Sequence, residues 1–354
     1  MRKVLVVCHD AGAANILAAL IKKYRNDVRW KALVDGPAKA IFAQEKIKGY
    51  LRGEGLKSRD IDHILEKVAP DLVLTGTGWG STLELEFIAR ARNRLIKTAA
   101  FLDHWGNYRE RFGYPGKWKE RLPDFVLVGD KWAYQIAIAD GFPKKCLKKV
   151  ENPYFEQIIT CFRRTQKTVK ESAKTRILLF SAPLFEFALK KYRDPYHWGY
   201  TEYSILEDVL SLMCLLQKAR PYELKIRMHP AEKIGKYSTL LNGNEYAQIY
   251  RFVSLSDPKK STLIDDCSWA DVAIGPGSTA LCIASMLGKK VFSYAPAKKR
   301  ISVMPQKEIK AVNSLQALKK ELMGFHKGRA FRREKPLSGP ADNRFLKAVE
   351  EMVG

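Results

Sequence analysis

Residues 271–294 read DVAIGPGSTALCIASMLGKKVFSY, and their parsing sets the parsing of the whole chain. DVAIGP (271–276) is an apolar burst of strand length, STALCIASMLG (278–288) is a buried helix closed by glycine, and KVFSYA (290–295) is a second burst. A strand, a helix and a strand in so short a span form the repeating unit of a parallel sheet with crossover helices. Between the first strand and the helix, Gly275-Pro276-Gly277 turn the chain, and the helix begins at Ser278-Thr279. Its free N–H groups and positive dipole end suit a phosphate, and glycine lets an anion approach the backbone. The carboxyl end of a parallel strand is also where open α/β sheets take ligands. A serine N-cap after a tight turn accounts for the same residues without a ligand.

The same alternation runs outward to both ends. Upstream, the second half carries the strand RILLFSAP (176–183), the helix SILEDVLSLMCLLQKA (204–219), strands ELKIRMHP (223–230) and QIYRFVS (248–254), and a helix or turn at 261–270. The first half repeats the unit with strands KVLVVC (3–8), VRWKALVD (28–35), DLVLTG (71–76), TAAFLD (98–103) and DFVLVGD (124–130). Helices fall at 13–24, at 58–70 with Ser58 as its cap, at 82–94, and at 132–141 with Gly141 closing it. ENPYFEQI (151–158) and the charged FRRTQKTVKESAKT (162–175) interrupt this rhythm and mark a boundary. At 354 residues the chain exceeds what one core usually fills. The expected organisation is therefore two Rossmann-like α/β domains facing each other across a cleft, 1–160 and 161–340, with a helix in 341–354 crossing back.

Composition narrows the class of function. Hydrophobic residues make up 46% and charged residues 28%, as in a folded globular protein. The N-terminal apolar run breaks at His9 and Asp10, unlike a signal peptide, and no stretch is long enough to span a bilayer, so a cytoplasmic protein is expected. Six cysteines lie scattered without a CxxC pair and six histidines show no ligand spacing, so neither a metal site nor a cofactor is expected. A net charge of +24 calls for anionic company: phosphorylated substrates, an acidic polymer or an anionic membrane surface. The basic runs at 144–149, 298–300 and 327–333 are dispersed and no RNP, KH or zinc-finger pattern accompanies them, against sequence-specific nucleic-acid binding.

Three stretches resemble the GT-B superfamily of glycosyltransferases and UDP-N-acetylglucosamine 2-epimerases, including relatives that build capsule and teichoic-acid polymers. They are DGFPKKCLKKVENPYFEQI (140–158), with Glu151 where glycine is usual, KIRMHPAE (225–232), and 271–294 itself, similar to the superfamily's donor-binding segment. The resemblance implies a GT-B fold and a metal-independent transferase. It would move a sugar from a nucleotide-activated donor to a hydroxyl of a glycan or lipid-linked acceptor, in surface polysaccharide biosynthesis. It also implies that Gly275, Pro276, Gly277, Ser278 and Thr279, with His229, meet the donor's diphosphate. The superfamily's acidic ribose-binding position falls on Ile283, whose side chain accepts no hydrogen bond, leaving Glu232, Asp266 or another carboxylate to take over.

In the first half, CHDAGAAN (8–15) joins a strand to a helix through small residues, and Gly12 leaves room for substrate beside His9 and Asp10. Asp10 is read either as a catalytic group or as a helix cap. TGTGWGST (75–82) is a second glycine-rich turn, where Gly76 and Gly78 would admit substrate. It lacks the HGD signature of the epimerases, and LDHWGNYRERF (102–112) stands where their EAG is expected. Asp103 or His104 there could act as general base on an acceptor hydroxyl, Trp105 could stack on a sugar or base, and Arg109 could pair with an anion. Two rivals stay open: a nucleotide-sugar 2-epimerase or hydrolase of the same fold, and a non-catalytic polyanion-binding protein.

Overall fold

The computed structural model describes residues 1–78, 81–165, 172–233, 235–296, 304–326 and 343–354. The chain divides into two compact units, Met1–Gln157 with Pro336–Gly354, and Ile158–Lys335.

In the first unit β1 (Lys3–Cys8), β2 (Arg29–Val34), β3 (Leu51–Arg52), β4 (Leu72–Thr75), β5 (Lys97–Leu102), β6 (Phe125–Val128) and β7 (Leu147–Lys149) form one sheet in the order β3-β2-β1-β4-β5-β6-β7. Every pairing is parallel. Both faces of such a sheet are covered, which is why β1 and β4 are apolar throughout rather than alternating. Leu5, Val7 and Val73 pack under the helices Ser58–Val68 and Leu83–Asn93, while Val4, Val6 and Leu74 pack under Ala11–Lys23.

In the second unit β8 (Thr175–Phe180), β9 (Tyr222–Arg227), β10 (Val253–Ser256), β11 (Val272–Gly275), β12 (Lys290–Tyr294) and β13 (Ile309–Val312) run β10-β9-β8-β11-β12-β13, again all parallel. Both orders are those of a doubly wound sheet. Its strand order reverses beside the first strand, so loops after β1 and β4, and after β8 and β11, diverge and leave a crevice at the carboxyl edge. The α/β, two-domain Rossmann-like reading is thereby established.

Some local expectations need correction. QIYRFVS (248–254) is not a strand but the end of a 3-10 helix, Asn244–Phe252, and only Val253–Ser256 pairs. Tyr246 and Ile249, three residues apart, are the buried positions there, a helical spacing that its β-favouring composition hides. The helix expected to be capped by Ser58 starts on it, with Lys57 in the cap position and Asp60 accepting the Lys57 N–H at 2.7 Å. Gly141 does follow the helix Lys131–Ala139 with a φ of +83°. The basic runs at 298–300 and 327–333 lie outside the described residues, and among the described residues no helix is long and apolar enough to cross a membrane.

Candidate functional site

At the carboxyl edge of the first sheet, three strand ends bring together groups far apart in sequence. His9 and Asp10 follow β1, Thr77 and Gly78 follow β4, and Asp103 follows β5. Asp10 takes the N-cap position of Ala11–Lys23, yet its side chain makes no cap bond. It pairs instead with His9, Asp10 Oδ1 lying 2.7 Å from His9 Nδ1. That hydrogen bond lifts the imidazole above its ordinary pKa of 6.5 against the opposing effect of burial.

Beneath this pair lies Glu84, which the sequence reading did not single out. It is 3% exposed, and its Oε1 accepts the His9 backbone N–H at 2.8 Å. Oε2 is buried with no hydrogen-bond partner among the described residues. Burial, with the nearby Asp10 charge, pushes its pKa from 4.5 to about 7. A signal was present: in LELEFIARARN, Glu84 falls on the apolar stripe of Phe87, Ile88 and Ala91, where a carboxylate has no ordinary packing reason.

Asp103 is committed elsewhere. Arg111 Nη1 donates to its Oδ1 at 2.6 Å and also to the Thr77 carbonyl at 2.8 Å and Thr77 Oγ1 at 3.0 Å. Of the two candidate bases, Asp103 therefore anchors the loop, while His104 stands beside it, partly exposed.

The glycines of this edge also need a new explanation. A Cβ on Gly12 would lie 2.1 Å from Asp103 Oδ2, and one on Gly78 would lie 2.8 Å from the Asp10 carboxyl carbon. Gly76 is similarly closed by Ala13, at 2.7 Å. At each of these glycines a side chain would collide with the protein's own carboxylates or helix, which accounts for glycine there without a ligand. Trp105 is likewise packed rather than presented: it is 5% exposed, stacks on Phe155 and donates its Nε1–H to Asp130 at 2.8 Å. Arg109 faces Asp140 at 3.9 Å and lies over the Tyr114 ring.

The second unit carries the anion-type turn. Gly275 ends β11, Pro276 is buried, and Gly277, Ser278, Thr279 and Ala280 are partly exposed at the start of the helix Thr279–Met286. Ser278 occupies the cap position with extended backbone, but its side chain makes no cap bond, and its Oγ is buried without a partner among the described residues. The bland serine-cap explanation therefore lacks its bond. Gly275 is required by close approach, since a Cβ would lie 2.8 Å from the Phe180 carbonyl oxygen on the adjoining β8. Backbone cannot yield without separating the two strands, so Gly275→Ala is expected to destabilise this unit by about 2 kcal/mol, read as a lower urea midpoint.

His229 follows β9, and its Nδ1 accepts the Ala231 N–H at 3.1 Å, which leaves Nε2 to carry the proton of a neutral ring. Glu232 does not replace the missing ribose acceptor. Its Oε1 accepts from Ser181 at 2.8 Å, Tyr237 at 2.8 Å and Lys236 at 2.9 Å, and its Oε2 accepts the His229 N–H at 2.7 Å. Asp266 is equally engaged, by Arg227, Ser256 and Ser261. Ile283 is buried in the core.

Two doubly wound parallel sheets with sites at their reversal points define a GT-B-type fold. Solved structures similar to this chain include the Methanocaldococcus jannaschii UDP-GlcNAc 2-epimerase in complex with UDP-GlcNAc and UDP, at 11% identity over 99% of each chain with a TM-score of 0.68. S. aureus MnaA with UDP matches at 15% identity, 100% of this chain and 95% of that one, TM-score 0.66. Anabaena HepE in complex with UDP and glucose matches at 12% identity, 91% of this chain and 89% of that one, TM-score 0.57. At these identities the likeness is one of fold. No protein-family model and no curated protein matches the chain.

Proposed function

We propose that the chain is an enzyme acting on a nucleotide-diphosphate sugar, and that it either epimerises the sugar, the activity named for its epimerase neighbours, or hydrolyses its link to the nucleotide. One observation carries this reading. The His9 imidazole is hydrogen-bonded to the Asp10 carboxylate, and the His9 backbone N–H to a second carboxylate, Glu84, whose pKa is pushed up to about 7, where the first sheet reverses its strand order. A group that exchanges a proton near neutrality at a ligand-binding edge is equipped for general acid–base chemistry. Asp10 and His9 are the acid–base pair in this proposal. The diphosphate is assigned to the helix start at Ser278 and Thr279 with the His229 Nε2–H, where amide dipoles oppose its charge.

Transfer to a glycan or lipid-linked acceptor is the second reading, supported by His104 after β5 and by LDHWGNYRERF in place of the epimerases' EAG. Its other candidate base, Asp103, is ion-paired with Arg111.

Incubation with UDP-GlcNAc and a panel of nucleotide sugars in D2O, followed by NMR, tests both. The expected outcome is an epimer carrying deuterium at the inverted carbon, or free nucleotide, without any acceptor. Nucleotide release only when an acceptor is added would support transfer instead. Tight polyanion binding with no turnover would sink both.

A further inference from the structure

We infer that Glu84 is a positioning residue that fixes the charge carried by the His9–Asp10 pair. The inference rests on the acid–base assignment above but concerns a residue outside it. Glu84 holds His9 by its backbone, Oε1 to N–H at 2.8 Å, so the carboxylate is fixed at this residue and its charge acts on the imidazole. Its second oxygen is buried and bonded to nothing among the described residues, so no fixed cation neutralises it. At so low an exposure, its charge acts on its neighbours with little screening.

The groups facing this cluster come from each strand end around it. Cys8 lies on β1, buried, and burial pushes its thiol well up, so it contributes no thiolate. Asp35 follows β2 and faces Lys39 at 3.5 Å. Asp103 follows β5 and is held by Arg111. Gly36 and Gly76 supply no side chain, and the imidazole fills the space a Cβ on Gly36 would need. Asp10, bonded to the ring itself, acts on His9 most strongly; of the further carboxylates Asp35 and Asp103 face cations, and Glu84 is the one whose ionisation adds to the field at His9. Ionised, it favours the imidazolium; protonated, it releases that hold, so the proton content of the pair follows Glu84 through the neutral range.

The test is a titration that needs no substrate. Imidazole 1H–15N resonances of the six histidines are followed against pH in the native chain and in Glu84→Gln, with His9→Asn to assign His9. Gln keeps an acceptor for the His9 N–H and removes the charge. The His9 midpoint is expected to fall in Glu84→Gln while the other histidines stay put. An unmoved His9 midpoint in a folded Glu84→Gln overturns the inference. Should that variant fail to fold, Glu84→Asp keeps the charge one methylene further away. A smaller fall is then expected, and an unchanged midpoint overturns the inference equally. Where the native chain turns over a nucleotide sugar, the acid limb of kcat/KM moves with the His9 midpoint. A chain without turnover defeats the proposed function and leaves the titration to decide this inference.

Discussion

Replacing Glu151 with alanine is expected to destabilise the N-terminal unit by about 3 kcal/mol and to release its last helix, because an acidic side chain that is wholly buried joins three partners there. Oε2 accepts the Phe345 N–H at 2.9 Å, Oε1 accepts the Tyr24 hydroxyl, and Lys23 Nζ stands 3.5 Å away. The Phe345 amide belongs to the first turn of Arg344–Val353, where no carbonyl of the helix can reach it and a carboxylate is favoured by the dipole. Through that contact, Phe345 is set against Tyr24 and Trp30, with ring centroids 5.5 and 6.0 Å apart, and Ala348, Val349 and Met352 follow it into the core. Without the carboxylate, the buried helix amide loses its acceptor and Tyr24 loses one of its hydrogen bonds. Hydrogen exchange on residues 344–353 should accelerate, and Trp30 fluorescence should report a lower urea midpoint. Glu151→Gln, which retains the acceptor, should lose about 1 kcal/mol. Exchange in that helix unchanged in Glu151→Ala would remove the carboxylate from this role.

Glu151 also shows where sequence reading stops. In the GT-B resemblance it is merely the residue standing where glycine is usual, and its partner Phe345 lies far along the chain. Strand and helix alternation is a local signal, set by period and by runs of Val, Ile and Leu, so the central strands of both sheets were legible from it, while the short Leu51–Arg52, Leu147–Lys149 and Ile309–Val312 were not. Ile249, Tyr250 and Phe252 misled because these β-favouring side chains belong to a 3-10 helix. The glycine turns were legible as turns but not as to what fills them. Gly12 makes room for Asp103 and Gly78 for Asp10, contacts between loops that only the strand order brings together. Asp103 carried the chemistry expected of a base until Arg111, eight residues on and across a short helical turn, proved to hold it.

Glu84 leads to the second large effect, a stability that falls as the pH rises. Its folded-state pKa, about 7, lies above the 4.5 of an exposed glutamate, so between those values the native chain binds more protons than the unfolded one. The stabilisation is complete below the unfolded value and is lost as the pH climbs through the folded one. Between pH 5 and pH 8 this group alone is expected to cost roughly 2 kcal/mol, since each tenfold difference in proton affinity between the two states is worth about 1.36 kcal/mol. His9, whose pKa is also raised, adds a loss of the same sign. Urea midpoints at the two pH values should therefore differ strongly in the native chain and much less in Glu84→Gln. An unpaired Gln amide lowers both midpoints alike, so the difference is the diagnostic quantity. An undiminished difference in Glu84→Gln would mean that the carboxyl is already ionised at pH 5. A leucine at this position would complete the stripe of Phe87, Ile88 and Ala91 and remove the penalty. What leucine cannot supply is a carboxyl that accepts the His9 N–H and titrates near neutrality, so Glu84→Leu should abolish the pH dependence that Glu84 confers.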